Sequence, residues 1–310
     1  MNKIYEQKTY FAMALDPIHI GTGGYRLGRV DNTIVREPGS NVPKIPGTSI
    51  EGCVRTYSYY KEKEKDMGIK EACAVGKKIK IKGCEKQPCG KCSVCITYGY
   101  TTDEKSLHGM AQFSDAKILF FPVHSMTGPV WVTCPSILKE FNINETIPED
   151  KMKTSVIEKS KKLNLGWLYL ENEESKSLIP DGKLDKIPKE IKDRLVLVSD
   201  KLFSQIVNSN LEVRTSVAID PTTGAAEEGA LYTYEAIPRA TILWFDVTAN
   251  NPQNFCVPTE WKSKNPDDVI QEVEKGLKLF EFLGVGGMAT RGFGRLNILN
   301  LNEGGDNNGK

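Results

Sequence analysis

No apolar run in the 310-residue sequence is long enough to cross a bilayer, and the opening residues, MNKIYEQKTY, lack the apolar core of a signal peptide. Membrane and secreted classes are set aside on that basis, and a cytoplasmic location is expected. Histidine is scarce, and only His19, His108 and His124 are candidates for histidine acid–base work. Excess charge is missing too: 41 Lys and Arg face 40 Asp and Glu, a net charge of +1. Composition alone therefore does not announce a polyanion binder, and any such surface must come from local clustering. What remains, 39% apolar and 26% charged residues, describes a globular chain able to build one large domain or two small ones.

Cysteine is where the sequence is rich. Four of eight fall in GCEKQPCGKCSVC, at Cys84, Cys89, Cys92 and Cys95. That spacing suits four thiolates converging on one soft ion, with glycines and a proline supplying the tight turns. Zinc in a closed, structural site is favoured over an iron–sulfur cluster, because no Cys-Pro ending follows, and over disulfides, which fit a chain without a signal peptide poorly. Cys53, Cys73, Cys134 and Cys256 read as small buried apolar residues, with Cys73 close enough to substitute as a ligand. Beside the cluster run Lys77, Lys78, Lys80 and Lys82, either a solvated loop or a polyanion contact.

Periodicity points to an α+β chain rich in antiparallel strands. Lys8 to Leu15 alternates as a strand, and further strands are expected in AQFSDAKILFFPV, GPVWVTC and RATILWFDVTA. A helix should start at Gly47-Thr48-Ser49, capped by Thr48 or Ser49, and run to about Lys65. Shorter helices are expected at Pro135 to Phe141 and Pro266 to Leu283. The Lys- and Glu-rich stretch 142–193 reads as a surface insertion, and the tail 302–310 as disordered.

Three segments carry candidate chemistry. The loop GTGGYRLGRVDN has Gly21 and Gly23 for close approach of another chain, and Arg26, Arg29 and Asp31 as its only charges. An acid beside two arginines is either an ion pair or a catalytic group, and His19 nearby is a candidate for acid–base work or packing. The segment IPGTSIEGCVR offers helix-start amides with Thr48, Ser49 and Arg55, which bind phosphate or merely cap a helix. The stretch GVGGMATRGFGRL sets Arg291 and Arg295 among Gly286, Gly287, Gly292 and other glycines, suiting a sugar-phosphate track.

Taken in this order, the three segments resemble the RAMP superfamily of CRISPR effector proteins, and EVRTSVAIDPTTGAAEEGALYTYEAIPRATILWF looks like the long β-hairpin, or thumb, of its backbone subunits. Within the superfamily the chain is most similar to the repeated backbone subunit of a type III complex, Cmr (III-B) more than Csm (III-A). The resemblance implies one domain over 1–310 with a ferredoxin-like, RRM-like core and an antiparallel sheet. Insertions would lie at 66–110 (zinc-binding and basic) and 142–193, with the thumb at 211–238. It also implies a filament of copies along a guide crRNA, with other effector subunits, in which complementary target RNA is cut at regular intervals. Asp31 maps to the residue needed for cutting, through attack of the 2′-OH aided by Mg²⁺ or Mn²⁺. The guide contacts would be Gly21, Gly23, Arg26, Arg29, Thr48, Ser49, Arg55, Arg214, Gly286, Gly287, Arg291, Gly292 and Arg295. Glu51 departs from the family, which commonly has Lys there. Rival readings are a non-cleaving structural crRNA-binding subunit and a stand-alone crRNA-processing nuclease.

Overall fold

A computed structural model describes residues 3–23, 30–227 and 231–301. Arg26 and Arg29, much of the glycine loop, Glu228 at the hairpin tip and the expected tail lie outside the described residues.

The first strand, Tyr5–Ala14, alternates as its sequence requires, burying Tyr10, Ala12 and Ala14 on one face. It pairs antiparallel with Ile242–Asn250, from Tyr5 opposite Asn250 to Met13 opposite Ile242. That central strand is apolar on both faces: Leu243, Phe245, Val247 and Ala249 enter one core, and Ile242 and Trp244 a second. Leu296–Ile298 flanks the first strand, and Ala116–Val123 flanks the central one, both antiparallel. These four strands form one side of a large sheet, whose other side continues through Val130–Thr133, Leu195–Leu197, Lys151–Thr154, Leu168–Glu174 and Lys162–Leu165.

The sheet is mixed, against the expectation of an antiparallel one. Val130–Thr133 and Leu195–Leu197 run parallel, as do Lys151–Thr154 and Leu168–Glu174. The stretch 142–193 is likewise more than a surface insertion, since it supplies three of these strands. Its lysines and glutamates hid a period of two: Leu163, Leu165, Leu170 and Met152 are buried, and ion pairs such as Lys151 with Glu173 lie on the more exposed face.

One face is covered by two helices. The long helix, Gly47–Lys65, buries Ile50, Val54, Ser58 and Tyr59 at helical spacing and packs on Pro266–Leu277. Neither Thr48 nor Ser49 caps the long helix; Pro46 occupies that position, and the Gly47 amide donates to the Asp115 carboxylate at 2.8 Å. The second helix opens with a capping box between Asn265 and Asp268, and stops at Leu277 before a separate turn, Phe280–Leu283. No helix among the described residues is long and apolar enough to span a membrane.

Candidate nucleic-acid interface

The three segments singled out in the sequence meet at one end of the sheet. Leaving the first strand, the chain presents carbonyls that the glycine-rich loop reads directly: Gly294 N donates to Pro17 O at 2.9 Å, and Gly287 N to His19 O at 3.0 Å. Gly286 allows this approach, with φ of 88°; a Cβ there would lie 2.4 Å from Ile20 Cδ1 and 2.6 Å from His19 O. The long helix joins through Tyr57, whose hydroxyl donates to Gly284 O at 2.7 Å. His19 is buried, with Nδ1 2.7 Å from Glu235 O and its ring edge-on to Tyr234. It packs, as one of its two expected roles required.

The thumb-like hairpin is present as Glu212–Ser216 paired antiparallel with Tyr232–Ala236. Its second strand organises the site. The stem of the glycine loop closes by pairing Gly21 with Ile34, and the returning chain then lies parallel to the hairpin strand, with Asn32 opposite Tyr234. Asn32 N donates to Thr233 O at 3.0 Å, and Glu235 N to Asn32 O at 3.2 Å. Asp31 is exposed, yet fixed: its Oδ2 accepts from Thr233 N at 2.7 Å and Thr233 Oγ1 at 2.9 Å, and its own amide donates to Thr233 Oγ1 at 3.1 Å. The Thr233 amide, and then its hydroxyl, hold the Asp31 carboxyl below the usual carboxylate range, so it is ionised at neutral pH.

The arginines divide. Arg291 is exposed on the glycine-rich loop, and its guanidinium donates to the Tyr232 hydroxyl at 2.7 Å. Arg214 bonds Glu212 and stacks 4.6 Å over the Phe293 ring. Arg295 is tied to Asp16 by two hydrogen bonds, of 2.5 and 3.1 Å, so its charge is locally neutralised. Thr48 is exposed and Ser49 half-buried at the helix start, while Gly21 and Gly23 are exposed on the loop stem.

Arg55 is a correction. The residue is 7% exposed and points inward, donating to Cys73 O (3.1 and 3.0 Å), Tyr98 O (3.1 Å) and Gly99 O (2.7 Å). A helix places it four residues after Glu51, on the face that meets the cysteine insertion rather than solvent. Gly76 is needed beside it, since a Cβ there would lie 2.3 Å from the guanidinium. Arg55→Met strands three buried carbonyls and is expected to destabilise the fold by about 3 kcal/mol. Denaturant unfolding should show that loss, with guide affinity unchanged in the folded fraction.

The cysteine cluster needs a second correction. Cys73, Cys89, Cys92 and Cys95 bring their sulfurs within 4.8 Å of one another. Cys84 does not take part; it is exposed in the short strand Cys84–Lys86, which folds back on Ile79–Ile81 and carries it away. Cys89 and Cys95 sulfurs lie 3.9 Å apart, against about 3.8 Å for two thiolates on one tetrahedral zinc. Amide donors already face the sulfurs: Cys89 N to Cys73 (3.3 Å), Cys92 N to Cys89 (3.3 Å) and Cys95 N to Cys92 (3.4 Å). The set fits a metal ion. The basic run next to it is largely solvated and paired, with Lys78 on Glu85 and Asp103. Cys256 is exposed rather than buried.

Sequence reasoning missed Thr233, Tyr232 and Glu235. Their signal was the alternation of YTYEA within the expected hairpin, which sends successive side chains to opposite faces.

The model of the RAMP superfamily matches residues 12–297. A curated relative, the CRISPR system Cmr endoribonuclease Cmr4 of Pyrococcus furiosus, is 26% identical over 307 residues, covering 92% of each chain. Among solved structures, a chain of the type III-B Cmr-beta complex bound to cognate target RNA aligns with a TM-score of 0.68 at 16% identity, over 96% of this chain and 98% of that one. A crystal structure of Cmr4 aligns at 0.55 and 21% identity, over 95% of this chain and all of the other.

Proposed function

The chain belongs to the RAMP superfamily, and we propose that within it this protein is the repeated backbone subunit of a type III-B CRISPR complex. On this reading it binds guide crRNA, stacks with copies of itself and other effector subunits, and cleaves complementary RNA. The match to Cmr4 along nearly the whole chain supports the assignment. The observation that carries it is local: the glycine-rich loop, the hairpin base and an ionised, exposed Asp31 share one surface.

A ferredoxin-like core is supported by the strand order Leu296–Ile298, Tyr5–Ala14, Ile242–Asn250, Ala116–Val123, with one helix after the first strand and one before the last. The guide backbone would run along the glycine-rich loop, where Arg291 is exposed and, among the described residues, has no acidic partner, and no side chains at the glycines obstruct close approach. Arg291→Ala should weaken unrelated guides alike and lower the salt slope of binding by about one. Titration of two guides of different sequence at several salt concentrations checks this; a sequence-dependent loss would contradict it. Arg295, already paired with Asp16, contributes less.

RNA carries its own nucleophile, so the chain must hold one nucleotide with its 2′-OH in line with the phosphorus. Asp31 serves that alignment: Thr233 takes its Oδ2, and Oδ1 has no partner among the described residues. An ionised carboxylate held low is a weak base and a good ligand, and one carboxylate plus RNA oxygens suffices to hold Mg²⁺ or Mn²⁺ weakly. When bound, the ion supplies charge neutralisation at the phosphate oxygens. Cys73, Cys89, Cys92 and Cys95 would hold a structural zinc. Copurified complex should carry guide RNA of discrete length and cut RNA complementary to it; a preparation free of RNA would contradict the assignment.

A further inference from the structure

Four consecutive residues of the hairpin strand grip the two halves of the interface by turns. Tyr232 accepts from Arg291, and Tyr234 packs against Phe293 at 5.5 Å between ring centroids, so one face of the strand holds the glycine-rich loop. Thr233 holds Asp31 on the opposite face. There too, Glu235 accepts from Ile34 N at 3.3 Å and from Arg36 at 2.6 Å, anchoring the chain that follows Asp31. A pleated strand gives this division without further design, because neighbouring side chains must point apart. Tyr234 and Glu235 are buried and Ala236 completes a small cluster with Phe293, so the strand is fixed at its base.

We propose that Tyr232–Glu235 is a spacer that sets the distance from the guide track to the cleaving carboxylate, and that Thr233 is its positioning residue. The hydroxyl of Thr233 both donates to Asp31 Oδ2 and accepts from Asp31 N, closing a two-bond ring that fixes the rotation of an otherwise exposed side chain. Guide phosphates seated on Arg291 thus fix where the Asp31 carboxylate stands, and with it which phosphate of the paired target is cut. The inference rests on the cleavage reading above, and adds how the cut is kept in register.

The test compares Thr233→Val and Thr233→Ser with Asp31→Ala in complexes assembled on one guide with one complementary RNA. Valine keeps the β-branched shape and the backbone donor and removes only the hydroxyl; serine keeps the hydroxyl. The valine complex should lose about tenfold or more in single-turnover rate and spread its cuts to neighbouring phosphates, with target affinity unchanged. Serine should restore rate and cut position to within about twofold of wild type. Wild-type rate and positions in the valine complex, with Asp31→Ala inactive, would overturn the positioning role alone. A valine defect that serine fails to rescue, or that comes with an equal loss of target binding, would overturn it too. An active Asp31→Ala complex would instead remove the cleavage reading, and the inference with it.

Discussion

Asp31→Ala is expected to slow cleavage of complementary RNA by about 10³-fold in a complex built wholly from the variant, within the range that one positioned catalytic group supplies. Guide and target affinity should stay within about twofold. Asp31 is exposed and ionised, and bears no core packing. Among the described residues its side chain is bonded to Thr233 alone, and that hairpin strand keeps its own ladder to Glu212–Ser216 without it. Among the described residues of the guide track none bonds the carboxylate, so binding and cutting should separate. Gel-based cleavage and filter binding on the same preparation measure both; cutting at the wild-type rate would remove Asp31 from the chemistry, and parallel loss of binding would make it a structural residue.

Cys73→Ser and Cys84→Ser are expected to behave oppositely. The first removes a buried sulfur from the four-thiol set, and should lower bound zinc from about one per chain toward zero. The uncompensated thiols should then cost about 3 kcal/mol, a fall of roughly 5–10 °C in melting temperature. Because Arg55 donates to the Cys73 and Gly99 carbonyls, loosening of the cluster should propagate to the long helix. Cys84→Ser, exposed and outside the set, should leave both zinc and stability unchanged. Metal analysis with thermal unfolding decides the matter: full zinc in Cys73→Ser, or loss of it in Cys84→Ser, would restore the ligand set that spacing alone suggests.

That contrast shows what sequence could and could not carry. Short-range spacing identified Cys89, Cys92 and Cys95, since turns of two residues leave few ways to arrange them, but the fourth ligand depends on a hairpin at Ile79–Lys86 that swings Cys84 out and leaves Cys73 in. The convergence of the glycine loop, long helix and glycine-rich loop was implied only by the resemblance of the three segments to the RAMP superfamily, and the glycines then allow their backbones to touch. Arg55 was not: which face of a helix meets another insertion is a tertiary fact, and a charged residue in a glycine-rich setting looks the same facing phosphate or carbonyl oxygens. Stretch 142–193 was misjudged because its surface charge outweighed the leucines alternating beneath it. Thr233 was silent for a related reason, being one hydroxyl between two tyrosines of a strand, with its partner 202 positions away.

The most direct test of the central claim is to map the ends of the fragments that the wild-type complex makes from a long complementary RNA. Attack by the 2′-OH, directed by copies of one subunit spaced along a guide, should give 5′-hydroxyl ends and cyclic phosphate ends at regular intervals. Fragments with 5′-phosphate ends, or cuts without a repeat, would contradict the account.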